Sequence, residues 1–140
     1  MSESQERIHI EDGTKRVRVY LGGEVIADSK RLKLVWEFPY YPAYYLPCSD
    51  VRMDLLTPNG HTQHFPSRGD AHKFTIKVGE RQVEDAAWHY LESPVEDLRD
   101  LVRFDWNAMD GWFEEDEEVF VHPHDPYTHR HLAQLPPYRG

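Results

Sequence analysis

The stretch from Arg68 to Tyr90 contains an alternation of apolar and polar side chains followed by a Gly turn and a second apolar arm, and no other feature of the chain restricts its folding so sharply. Phe74, Ile76 and Val78 alternate with polar neighbours, the period-two signature of a strand with one buried face. Arg68-Gly69 opens the stretch as a turn and Gly79-Glu80 interrupts it, so the whole reads as a β-hairpin. Its second arm carries Val83, Ala86 and Ala87, then Trp88 and Tyr90, which share a face if the strand persists. A Trp and Tyr pair of this kind anchors a core or lines a pocket, and the pattern alone leaves both open.

The same period recurs upstream. Val17, Val19 and Leu21 alternate with Arg18 and Tyr20, and Gly22-Gly23 supplies the positive φ angles of a two-residue hairpin turn before Glu24-Val25-Ile26-Ala27. Leu32, Leu34 and Trp36 follow on one face, and Pro39 and Pro42 break the pattern before Ala43 to Leu46 resumes it. Residues 1 to 14 are polar with no sustained period and are expected to form a mobile tail ahead of a single β-rich domain over 15 to 140. Helical spacing enters twice. Ser49 or Asp50 caps a short helix over Val51, Leu55 and Leu56, although Val51, Met53 and Leu55 also alternate as in a strand. Ser93-Pro94 offers a cap for a second helix through Val95, Leu98, Leu101 and Val102. The expected class is therefore mainly β with one or two short helices.

Charge and cysteine usage narrow the function classes. A net charge of −9 repels nucleic-acid backbones and anionic membrane surfaces, and the basic residues are scattered. The single cysteine, Cys48, has no internal disulfide partner, and no apolar run approaches a membrane span. A cytoplasmic protein without nucleic-acid or membrane partners is expected. No cofactor is indicated either.

Several constellations have plainer readings. Arg68-Gly69-Asp70 spells an integrin-binding tripeptide, but nothing else here is extracellular. The acidic run Glu114 to Glu118 lacks the spaced ligands and central Gly of a calcium loop and reads as a solvated turn ahead of a strand at Val119 to His122. His122, His124, His129 and His131 form two i, i+2 pairs suited in principle to zinc or nickel, but Pro123 and Pro126 interrupt them and no thiolate completes a site. No metal is expected. Asp50, Arg52, His64 and Arg68 bracket the central turn as a polar set for a pocket, with a structural ion-pair network as the alternative.

Arg68-Gly69-x-Ala71 followed by Ala87-Trp88-x-Tyr90 resembles the K-G-x-A and A-W-x-Y signatures of the domain-of-unknown-function family 427, sometimes labelled a nucleotidyltransferase family. Arg16 to Ser29, Tyr44 to Pro47, Asp50 to Leu56, Glu114 to Pro123 and Asp125 to Tyr127 continue the likeness in order along the chain. The family's C-P-Y-K-G reads here as Phe65-Pro66-Ser67-Arg68-Gly69, so its Cys and Lys are missing. The resemblance implies antiparallel sheets in a tent-like arrangement, in which an aromatic cage takes a small planar or cyclic ligand. By that analogy Tyr45, Trp88, Tyr90 and Trp36 would hold the ligand, with Asp50, Arg52, His64, Arg68 and Gly69 around them, and the ligand would be small and planar or anionic. Two other functions stay open. One is an enzyme of nucleotidyl or related transfer, although the chain has neither a Walker-type loop nor a paired D-x-D. The other is a non-catalytic interaction module, a homodimer for instance.

Overall fold

The structure, a computed structural model, describes residues 8–37, 39 and 41–120. Eleven strands run through them: β1 (His9–Asp12), β2 (Val17–Leu21), β3 (Glu24–Ser29), β4 (Lys33–Trp36), β5 (Ala43–Pro47), β6 (Leu56–Phe65), β7 (Gly69–Val78), β8 (Arg81–His89), β9 (Leu101–Phe104), β10 (Gly111–Glu114) and β11 (Glu117–Glu118). Seven form one antiparallel sheet in the order β1-β4-β5-β9-β8-β7-β6, and four form a second in the order β11-β10-β2-β3. The mainly-β expectation holds.

Both expected hairpins form. β2 turns into β3 at Gly22 and Gly23, whose φ angles of 61° and 82° match the twist of the flanking strands. β7 turns into β8 at Gly79, with a φ of 60°. The acidic run makes a third turn, between β10 and β11, with Glu115 at a φ of 56°.

Three local expectations give way. His9–Asp12, inside the stretch read as a tail, pairs with β4 along its full length, because Ile10 can pack on a buried face while its backbone completes the sheet edge. Residues 1–7 lie outside the described residues. The helix read over 51–56 is two 3-10 turns, Cys48–Asp50 and Met53–Leu55, on either side of an extended Val51. Val51 bridges Ala27 on the edge of β3, and the Arg52 amide donates to the Ile26 carbonyl at 2.8 Å, so the edge of the smaller sheet captures the segment before a helix can close. The second helix is reduced to one 3-10 turn, Glu96–Leu98. Leu101 and Val102 extend instead into β9, where β5 pairs with both and β8 pairs with Val102 from the other side.

The seven-stranded sheet is buried on both faces at its centre. On β5, Tyr44 and Leu46 join the core shared with Val17, Val19, Leu21 and Ile26 of the second sheet, while Ala43 and Tyr45 point the other way. β7 and β9 divide likewise: Phe74, Ile76, Val102 and Phe104 face the second sheet, and Ala71 and Leu101 face a smaller core with Tyr90 and Leu98. Strands buried on both faces lose the simple alternation of a half-buried strand. The candidate site lies on that smaller core.

Candidate functional site

Strand register builds the site. Lys33 of β4 sits opposite Tyr45 of β5, Tyr45 opposite Arg103 of β9, Arg103 opposite Trp88 of β8, and Trp88 opposite Lys73 of β7. Directly opposed residues share a face, so these five side chains form one row across the sheet. Trp88 lies between two cations in that row, with the Arg103 guanidinium 5.1 Å and the Lys73 ammonium 5.2 Å from its ring.

Glu37, just beyond β4, reaches into the row. Its carboxylate accepts from Arg103 Nε and Nη2, both at 2.9 Å, and from the Tyr45 hydroxyl. Burial alone would raise the Glu37 carboxyl, but the Arg103 charge and these hydrogen bonds outweigh it and hold the carboxyl below its ordinary range. Burial, with Glu37 alongside, pushes the Tyr45 phenol well above its ordinary value, so Tyr45 stays a donor.

The Arg68-Gly69 turn adds the second charge. Arg68 Nε and Trp88 Nε1 both donate to the Tyr90 hydroxyl, each at 3.2 Å, and the Arg68 guanidinium lies 4.2 Å from the Phe65 ring centre. Arg68 is 8 % exposed and has no carboxylate within ion-pair distance among the described residues. Its two Nη nitrogens have no partner there either. Lys73 bonds Gln63 Oε1 at 3.0 Å and likewise has no carboxylate within ion-pair distance among the described residues. An acidic chain thus gathers three cations and one carboxylate around Trp88, and that carboxylate is already held by Arg103.

The other expected residues divide among separate interactions. Tyr45 and Tyr90 are fully buried, with rings stacked at 6.2 Å, and burial of such rings contributes on the order of 2 kcal/mol each, so they support the site from beneath. Gly69, at a φ of 95°, turns its open side to the protein's own Ser93-Pro94 loop: a Cβ there would lie 3.1 Å from Pro94 Cδ. Asp50 accepts from Ser29 Oγ at 2.7 Å and Arg31 Nη2 at 3.2 Å. Arg52 grips Asp54 through two nitrogens, and His64 pairs with Asp70 at 2.7 Å across the β6–β7 ladder. The Arg52 and His64 pairs sit at exposed positions, whereas Asp50 is part-buried against the buried Ser29. Trp36 packs against His9, with ring centres 5.1 Å apart, and Phe38 and Tyr40 lie outside the described residues.

Sequence reasoning passed over Glu37 and Arg103. Arg103 carried one available signal, a lone charge inside the apolar run Leu101-Val102-Arg103-Phe104, since a charge in a buried strand needs a partner. Glu37 carried none. Cys48 is half-buried against the larger core, and burial pushes its thiol up, away from the thiolate a nucleophile requires. Among the described residues no three His, Cys, Asp or Glu side chains are placed to hold a metal, and the histidines from 122 to 131 lie outside them. No helix of the described residues is long and apolar enough to cross a membrane.

Two antiparallel sheets and a buried cluster of aromatic and arginine side chains define this as a β protein whose distinctive chemistry lies on one face of its larger sheet. The chain belongs to the family described as domain of unknown function DUF427, whose model, named NTP_transf_9, matches residues 9–115. A search of curated proteins returned no match.

Proposed function

We propose that this domain binds a small planar anion at the rim formed by Arg68, Phe65, Trp88 and Lys73. The observation that carries the reading is Arg68: a guanidinium 8 % exposed, fixed through Nε and stacked on an aromatic ring, with both Nη nitrogens unpartnered among the described residues. A cation largely withdrawn from water, whose charge is offset at longer range by the Glu37 carboxylate that Arg103 already holds, is kept there at a cost, which an anionic ligand would reduce. The two nitrogens present the fork that matches a carboxylate or phosphate edge. Half-buried Trp88 supplies a flat surface beside it, and Lys73 a second positive charge. The tent-like arrangement implied by the sequence resemblance supports the same reading, since its ligands are small rings.

Binding is favoured over nucleotidyl transfer because the carboxylate in the cluster is occupied. Phosphoryl and nucleotidyl transfer use carboxylates to hold magnesium, and both oxygens of Glu37 are engaged by Arg103.

Benzoate is a suitable probe, followed by calorimetry and by the indole resonance of Trp88. Arg68→Met keeps the stem and removes the fork, and Trp88→Phe keeps an aromatic while narrowing the platform. Each is expected to weaken benzoate binding by about tenfold or more while near-ultraviolet circular dichroism stays that of the parent. Parental affinity in both variants would refute the assignment.

A further inference from the structure

The chain crosses from β1 in the larger sheet to β2 in the smaller one through residues 13–16, and a cleft of about 280 Å³ opens at that crossing. Its walls are apolar, from Val17, Leu32 and Leu34, and its polar end is formed by Tyr44, Glu114 and Lys15. The frame is rigid. The Gly13 amide donates to the Leu32 carbonyl at 2.8 Å, and backbone groups of Arg16 and Glu115 pair at 2.8 Å across the other side. A Cβ at Gly13 would lie 2.5 Å from Leu32 Cδ2, so any larger residue there would force the Leu32 side chain, one wall of the cleft, to shift.

The polar end contains two charges of unequal fixity. Glu114 is anchored on β10, its side chain is 23 % exposed, and one of its oxygens accepts the Tyr44 hydroxyl proton. Burial, then the bond to Glu114, pushes the Tyr44 phenol far above its ordinary range, so that proton stays in place. Lys15 is 62 % exposed, and its ammonium stands 3.7 Å from the other Glu114 oxygen, beyond hydrogen-bonding reach. Such a pair contributes little, and the lysine is free to swing into water. The carboxylate cannot follow it.

We infer that this cleft is a second ligand site, selective for a small apolar primary amine whose ammonium takes the place of Lys15 on Glu114. The hydrocarbon part fills the space between Val17, Leu32 and Leu34, and the Tyr44 ring walls the cleft beside the charge, a placement that favours cations. The acidic surface adds long-range attraction of the same sign. The two sites thus prefer opposite charges.

Benzylamine, benzyl alcohol and benzoate share a ring and differ in charge, which makes them the probes. Calorimetry on the full chain, with methyl resonances of Val17, Leu32 and Leu34 marking the location, is expected to show benzylamine binding about tenfold more tightly than benzyl alcohol. Glu114→Gln, whose amide oxygen still accepts from Tyr44, should remove that preference. Lys15→Ala should strengthen benzylamine binding several-fold by deleting the competing ammonium, a gain that a purely structural pair would not give. Arg68→Met should leave benzylamine unaffected, which separates this site from the one at Trp88. The inference is overturned if benzyl alcohol binds as well as benzylamine, if Glu114→Gln keeps the preference, or if Lys15→Ala weakens binding. Should Glu114→Gln not fold, the Lys15→Ala result decides.

Discussion

Glu37 and Arg103 meet through two parallel hydrogen bonds of 2.9 Å across the buried face of the larger sheet, although 66 positions separate them in sequence. Their side chains are only 6 % and 18 % exposed. A buried pair with this forked geometry is expensive to break, because the surviving charge stays desolvated.

Removing one partner should therefore destabilise strongly. Glu37→Gln or Arg103→Met is expected to lower unfolding stability by about 3–5 kcal/mol at neutral pH, and the double replacement by two methionines should recover part of that loss. The pH dependence follows from the sign of the shift. The folded-state pKa of Glu37 lies below its ordinary value of 4.5, so its contribution is complete above that value and is lost as pH falls through the folded pKa. Urea titrations from pH 7 downward should show the parent losing stability below about pH 4.5, with a shallower loss for Glu37→Gln. Identical acid profiles would sink the prediction.

The β2–β3 turn gives a graded test. Gly22 and Gly23 both have positive φ, but a Cβ on Gly22 would also lie 3.0 Å from Val78 Cγ1, whereas one on Gly23 meets nothing within 4 Å. Gly23→Val is expected to cost about 1–2 kcal/mol from backbone strain alone. Gly22→Val should cost about 1 kcal/mol more, because it also presses on the core residue Val78. Urea midpoints in the reverse order would contradict the geometry.

Chelation should leave the protein folded. No three potential ligands converge among the described residues, so the melting temperature is expected to be the same with and without EDTA. A fall in EDTA that one metal alone restores would locate a site among the histidines from 122 to 131.

What the sequence revealed depended on whether one face of a strand met water. β2 alternates cleanly because Val17, Val19 and Leu21 are buried between half-exposed neighbours, and β7 does so through Phe74, Ile76 and Val78. β9 is buried on both faces, so Leu101 and Val102 stand side by side, and together with Val95 and Leu98 they imitate a helical spacing. That coincidence concealed Arg103, and with it the partner that Glu37 needs. Tyr45, Arg68, Trp88 and Tyr90 were legible as one group through their motifs and do meet. Asp50, Arg52 and His64 were joined to them by nearness in sequence, yet the 3-10 turns hold Asp50 and Arg52 against Ser29, Arg31 and Asp54, and the β6–β7 ladder pairs His64 with Asp70.

The segment from Leu101 to Glu114 contributes one strand to each sheet, β9 between β5 and β8, and β10 beside β2. During synthesis neither sheet can close until this segment leaves the ribosome, since β1-β4-β5 and β8-β7-β6 remain unjoined without β9 and the β2–β3 hairpin keeps an open edge without β10. Such long-range closure slows folding and ties it to a late event. The same arrangement makes the two sheets unfold together, because the withdrawal of one short stretch of backbone opens a seam in both.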